Sequence, residues 1–348
     1  MYRHLLVPID ATDLSAELVA NAVDFAGSVS ARITFFYTAP DYAGMPCGDT
    51  EARTAGAATG VHAGQVRELL AKAEGAAHAN GVPCDSMQGC NEGRQGAIVA
   101  AAQGRGCDLI FMASHIDGIR TAMAFFSETI DAAAHAGLPV LLFARGAVQP
   151  PTRAIATIRD EHRSLSAVLH AGMNALAVAR ARGDVPDPAL MDAVVYYLER
   201  MRVAQHHPRE EDHLFRRLKA RTSAFDAEID ELERQHDKDR HLVAVVARRV
   251  RAVSAAIGDE ARASAIRALE NAVSHYAAFI WEHLGREEGV ILPAARRYLT
   301  VADWADIDAA FASDASLRIG GCVEMHSGHP PSHVFDLTRS LDEPMSSS

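Results

Sequence analysis

The chain has 348 residues, 49% apolar and 23% charged, a globular balance that excludes wholesale disorder and, at about 150 residues per domain, leads to an expectation of two domains. Its formal charge of −11 divides as −6 over residues 1–150 (9 basic against 15 acidic) and −5 over the rest (25 against 30), so neither half has the basic surplus that a nucleic-acid partner requires. The longest apolar run, Leu138 to Ala144 with Pro139 inside it, falls far short of the ~20 residues that cross a bilayer, so no membrane span is expected, and no membrane partner.

The N-terminus enters a short strand-like run at Leu5–Ile9 without the apolar stretch of a signal peptide. The five cysteines (Cys47, Cys84, Cys90, Cys107, Cys322) are odd in number, scattered and without a CxxC, as suits a reducing cytoplasm rather than a disulfide framework. Strand-like segments Leu5–Ile9, Ile33–Tyr37, Val82–Met87, Leu109–Met112 and Val140–Phe143 alternate with amphipathic ones at Ser15–Ser28, Val61–His78, Gly93–Gly104 and Ser127–His135. This alternation predicts a doubly wound, parallel five-stranded α/β sheet over residues 1–148.

Asp10 closes the first strand, and Leu109-Ile-Phe-Met-Ala113-Ser-His-Ile116 leads from the fourth into a loop ending at Phe126-Ser127. The carboxyl ends of parallel strands are where such sheets bind ligands. The layout resembles the universal stress protein family, whose ATP-binding members carry Gly-x2-Gly-x9-Gly-Ser/Thr in this loop. Here Ala113, Ile116 and Phe126 occupy the glycine positions, and Ser127 alone matches. The resemblance assigns Asp10 and Ser127 to nucleotide contact. Backbone N–H groups approach phosphate closely only past small residues, and Ile116 and Phe126 crowd that space, so the expectation is a dimerisation or partner-binding module rather than an ATP site. The apolar edge strand Leu138–Phe143 is a candidate homodimer contact and equally a candidate buried strand.

Gln149-Pro150-Pro151 marks a linker, and the pattern beyond it is helical: Ala154–Arg182, Pro188–Arg221, Ala224–Ile257 and Asp259–Leu299, with a short helix at Val301–Ala312. Four long helices with short connections predict an antiparallel all-α four-helix bundle over residues 152–313. Residues 314–348, rich in Ser, Pro, Gly and His, are expected to form a disordered tail. Pro208 falls inside the second helix, where the missing N–H predicts an irregularity.

The 17 histidines decide the chemistry of this half. His207-Pro-Arg-Glu-Glu211 and His283-Leu-Gly-Arg-Glu287 each place His and Glu one turn apart on one helix face, and the other two helices carry His162 and His236 in similar frames. The order His162, His207/Glu211, then His236, His283/Glu287, repeats with offsets of 45 and 47 residues. Two related helix pairs would therefore aim four imidazoles and two carboxylates at one layer of the core. Mixed imidazole and carboxylate without thiolate suits iron or manganese, and six donors exceed what one zinc uses. The expectation is two irons with bridging carboxylates, an oxo or hydroxo bridge and room for one exogenous ligand each.

These residues resemble the hemerythrin-like, HHE cation-binding domains over about residues 153–312, including the closing Tyr298-Leu-Thr-Val-Ala-Asp-Trp304 segment. Oxygen-carrying hemerythrins have a second His one turn after the third-helix ligand. Arg240 stands there in this chain, and His241 lies about 140° off the ligand face at ~100° per residue. The site therefore resembles the four-His, two-Glu branch implicated in repair of iron centres. The combined expectation is a cytoplasmic stress-response protein, a sensor before an enzyme, whose irons meet oxygen, nitric oxide or peroxide. The alternatives are a di-iron enzyme or iron donor that rebuilds damaged centres, and a nucleotide-binding stress module with a structural metal.

Overall fold

A computed structural model describes residues 2–10, 13–37, 55–89, 94–114, 129–144 and 152–321. Its α/β region runs β1 (His4–Ile9), α1 (Asp13–Val29), β2 (Arg32–Tyr37), α2 (Ala55–Ala79), β3 (Cys84–Gln88), α3 (Arg94–Arg105), β4 (Leu109–Ser114) and, after a helix α4 over 129–135, β5 (Val140–Ala144). The five strands are all parallel, in the order β3-β2-β1-β4-β5.

Successive side chains of a strand point to opposite faces, and both faces of β1 and β2 are apolar, as a sheet covered on both sides requires. Leu5, Val7, Ile33 and Phe35 meet Leu18, Ala22 and Val23 of α1 and Ala73, Ala76 and Ala77 of α2. Leu6, Phe36, Ile110 and Met112 meet Ile98 and Ala102 of α3 and Ala133 of α4. The strand order reverses at the neighbouring β1 and β4, and Asp10 follows β1 directly. Ile116, Phe126 and Ser127 lie outside the described residues. β5 is an edge strand, and Leu141 and Leu142 are both exposed on it.

The amino ends of the strands carry a buried polar chain. His4 Nε2 bonds Thr34 Oγ1 at 2.8 Å, and that hydroxyl donates to Asp85 Oδ1 at 2.5 Å. Burial, then the charge of Arg32, lowers the pKa of His4, against the opposing pull of Asp85 and Asp108 and a backbone contact at Arg105. With a folded pKa below the ordinary 6.5, the unfolded chain binds the proton more readily. The stabilising contribution of neutral His4 is thus complete above pH 6.5 and is lost as the pH falls through the folded value. The urea midpoint of the α/β region is expected to drop between pH 7.5 and 5, and to drop less in His4→Gln, which keeps a donor for Thr34. An identical pH response in the two proteins would remove His4 as the cause.

The helical region begins at α5 (Arg153–Arg182), capped by the Thr152 hydroxyl and ended by Gly183 at φ 70°, a left-handed conformation that glycine adopts without a Cβ penalty. The rod α6 comprises Pro188–Tyr197, the π-helical Leu198–His206, a short α stretch His207–Arg209, a second π stretch Glu210–Phe215, and Arg216–Arg221. α7 spans Asp226–Ala255. α8 runs from Asp259 to Arg286 and continues through the π-helical Glu287–Ile291 into Leu292–Tyr298. These four long helices form the bundle, burying Ile155, Ile158, Leu165, Leu198, Phe215, Leu232, Leu269 and Ile280.

The closing helix α9 reaches from Val301 to Gly321, so the first part of the segment expected as a tail is helical; residues 322–348 lie outside the described residues. Thr300 and Asp303 form a capping box: the Asp303 carboxylate accepts from Thr300 N at 2.9 Å, and Thr300 Oγ1 accepts from Asp303 N at 3.3 Å. Arg221 donates to both Asp303 oxygens at 2.8 Å, and Asp308 Oδ1 accepts from Ala154 N at 2.8 Å, fastening α9 to α6 and α5. The hydrogen bonds from Arg221 and Thr300 hold the Asp303 carboxyl well below the usual carboxylate range.

Candidate metal centre

The irregularity expected at Pro208 takes the form of π-helical turns on either side of it. Pro208 lacks the N–H that an unbroken α-helix would use at that point. A π turn closes i to i+5 and inserts an extra residue, an arrangement often found at functional sites. The consequence is that neighbours which an α-helix would send about 100° apart both reach the interior: His206 and His207 are each buried. Of the adjacent carboxylates, the Glu210 side chain is 1% exposed and that of Glu211 35%.

Two groups of donors result. The ligand atoms of His162, His206, Glu210 and Glu287 lie within 4.8 Å of one another, as do those of His207, His236 and His283, and every member is buried. His283 Nε2 is 3.0 Å from Glu287 Oε1, one turn along α8, so this helix gives a member to each group. Glu210 stands between imidazoles of both: Oε1 is 3.2 Å from His206 Nε2 and 4.0 Å from His162 Nε2, whereas Oε2 is 3.8 Å from His236 Nε2. The His207 and His236 rings stack, with centroids 3.8 Å apart and planes within 6°.

Of the six residues singled out by spacing, five fall in these two groups: His162 and Glu287 in one, His207, His236 and His283 in the other. Glu211 does not join either group. Its Oε1 accepts from His236 Nδ1 at 2.6 Å, on the outer side of that ring. His206 and Glu210, which the reading by spacing passed over, take part instead. A signal for them exists in the sequence. Arg209-Glu210-Glu211 repeats as Arg286-Glu287-Glu288, and aligning these sets Glu210 against Glu287 and His206 against His283.

A shell of charge surrounds the donors. The Glu161 carboxylate accepts from His206 Nδ1 at 2.7 Å and from Arg209 Nη2 at 2.5 Å. Burial pushes the Glu161 carboxyl upward, but the hydrogen bonds and charges of His206 and Arg209 outweigh it and hold it at about 2. Arg209 in turn lies over the Phe311 ring of α9, 5.2 Å from its centroid. Asp239 Oδ2 is 3.2 Å from both Arg202 Nε and His207 Nε2, fully inside the bundle. Burial lifts the Asp239 carboxyl above its usual range, opposed by Arg202 and the Tyr276 hydroxyl. Arg240 points outward to Asp237, and the exposed His241 donates from Nδ1 to the Asp237 carbonyl at 2.8 Å. Tyr276 and Trp281 are buried, whereas Tyr196 is exposed.

The donors are all imidazole or carboxylate, the chemistry that suits iron rather than a thiolate metal. They also fit an ion in a second respect: Glu210 Oε2 is buried without a hydrogen-bond partner among the described residues, a costly state for a charged oxygen that a bound cation would relieve.

Two family models match the chain, one after the other. Residues 1–144 match the model of the universal stress protein family and residues 153–295 that of the hemerythrin HHE cation binding domain. Among solved structures, a protein from the universal stress protein family from Burkholderia pseudomallei is 21% identical, with a TM-score of 0.31, over 41% of this chain and 96% of its own. A universal stress protein in complex with cAMP is 17% identical, TM-score 0.30, over 41% and 97%. The universal stress protein UspA from Lactobacillus plantarum is 23% identical, TM-score 0.29, over 41% and 97%. No curated protein matches the chain.

Proposed function

We propose that this chain, a universal stress protein domain followed by a hemerythrin HHE domain, is a stress-response protein whose bundle holds two iron ions and reports oxygen, nitric oxide or peroxide. The observation that carries this reading is the placement of Glu210, whose two oxygens face imidazoles of different groups, as a carboxylate shared by two ions would. His162, His206, Glu210 and Glu287 would hold one iron. His207, His236 and His283 would hold the other, with Glu210 and Glu287 between them. A bound iron pair supplies affinity for a small oxidant and the electrons to reduce it.

The protein's own residues set the conditions. All seven donors are buried, so only a small molecule reaches them and bulk water is excluded. Phe215 lies against the His236 ring, with centroids 5.8 Å apart, and gives the shell of charge an apolar side there. The α/β domain is the output half, acting as a homodimer whose contact is the exposed edge strand β5. The setting is the cytoplasm; among the described residues no helix is long and apolar enough to cross a membrane.

The test is elemental analysis of the purified protein together with its absorption spectrum under oxygen, nitric oxide and peroxide. A sensor gives a pair of irons per chain and one stoichiometric spectral change. Steady consumption of the oxidant, or transfer of iron to an apo acceptor, would favour the enzyme or iron-donor reading. A protein that binds no iron, or whose spectrum ignores all three reagents, would overturn the proposal.

A further inference from the structure

Two carboxylates flank the donor groups without belonging to them, and they share one pattern. Glu161 precedes the donor His162 on α5, and Glu211 follows the donor Glu210 on α6. Each reaches past its own neighbour to the Nδ1 of an imidazole on the next helix: Glu161 to His206 at 2.7 Å, and Glu211 to His236 at 2.6 Å. A carboxylate at neutral pH only accepts, so Nδ1 carries the proton in both rings, and in the neutral imidazole, the form that binds a metal, Nε2 is then the nitrogen with the lone pair. Both Nε2 atoms then point at the same group, His206 Nε2 to Glu210 Oε1 at 3.2 Å and His236 Nε2 to Glu210 Oε2 at 3.8 Å. His206 Nε2 also lies 3.3 Å from His162 Nε2.

We propose that Glu161 and Glu211 are a matched pair of positioning residues that fix the tautomer and the aim of His206 and His236 toward a divalent metal, and that Glu211 is not itself a ligand. This rests on the reading of the bundle as a metal centre. The two nitrogens of an imidazole point out of opposite sides of the ring, so a group bonded at Nδ1 cannot touch an ion held at Nε2. The exposure of the Glu211 side chain, 35% against 1% for Glu210, agrees with an outer place. Outer carboxylates of this kind raise ligand basicity and hold the ring, and losing one costs about 10–100-fold in metal affinity. Glu161 is the better braced of the two, because Arg209 holds its second oxygen.

The experiment compares Glu161→Ala, Glu161→Gln, Glu211→Ala and Glu211→Gln in the full chain. Ferrous ion is titrated against a chromophoric chelator, and the imidazole N–H signals of the metal-free protein are read by NMR. The alanine variants are expected to bind ferrous ion about 10–100-fold more weakly and to lose the protected Nδ1–H signal of the ring concerned. The glutamine variants, which retain an accepting oxygen, are expected to stay near wild type in both. Unchanged affinity in the alanine variants overturns the proposal, and so does a glutamine variant as damaged as its alanine counterpart, which would make the carboxylate a ligand. If an alanine variant does not fold, the glutamine variant and its N–H signal decide. Glu210→Ala and His283→Ala serve as the separate check: if they too retain full ferrous affinity, the metal centre itself is wrong.

Discussion

Glu210→Ala is expected to strip the bundle of its metal pair, leaving at most a single iron per chain after gel filtration, as read by elemental analysis and ferrous titration. The loss should exceed the roughly 10–100-fold weakening that an outer partner causes, because Glu210 lies between imidazoles of both donor groups. The effect is not one of misfolding. In the metal-free bundle this carboxylate is buried with one oxygen lacking a hydrogen bond, and burying a charge without compensation costs stability. The metal-free variant is therefore expected to melt no lower than the metal-free wild type. Two irons retained in Glu210→Ala would contradict the assignment, as would a collapse of the metal-free fold.

Asp239→Ala is the substitution with the largest expected effect on stability. Arg202 and Asp239 are 3.2 Å apart with side chains 2% and 1% exposed. Such a pair gains little over apolar residues of the same shape, because desolvation offsets most of the attraction. Removing one partner, however, leaves a buried charge, at a cost of about 3–5 kcal/mol. The expected cost of Asp239→Ala is therefore about 3–5 kcal/mol. The same change removes a carboxylate 3.2 Å from His207 Nε2. Chemical denaturation of the metal-free protein measures the cost. The double variant Arg202→Met with Asp239→Leu should recover much of it, and a single variant within 1 kcal/mol of wild type would show that the pair is not what holds this layer.

The sheet was legible because its strands advertise themselves. His4–Ile9 and Arg32–Tyr37 are short, apolar on both faces and separated by amphipathic helices, and only a covered parallel sheet satisfies that pattern. The four long helices were equally plain. The two donor groups of the candidate metal centre were legible in their residue types and not in their register. An i, i+4 argument fits His206 with Glu210 as well as His207 with Glu211, so spacing by itself leaves two registers one residue apart. The π-helical turns on both sides of Pro208 bury His206, His207 and Glu210 together and leave Glu211 at the edge. His283 and Glu287, whose backbone is α-helical up to Arg286, sit as spacing alone places them. The role of Glu211 was out of reach for a related reason: whether a carboxylate meets an ion or the back of an imidazole depends on a contact with a helix 25 residues away, which no local pattern records.

The family match closes at residue 295, but the supports of the centre do not. Trimming the chain there would discard Asp303, leaving Arg221 without its carboxylate, and Asp308, the acceptor for Ala154 N at the first turn of α5. It would also discard Phe311, the platform under Arg209, and through Arg209 slacken Glu161 and the ring of His206. An excised bundle that keeps its donors aimed must therefore carry α9 past Phe311; a shorter one would contain every candidate donor and still hold them loosely.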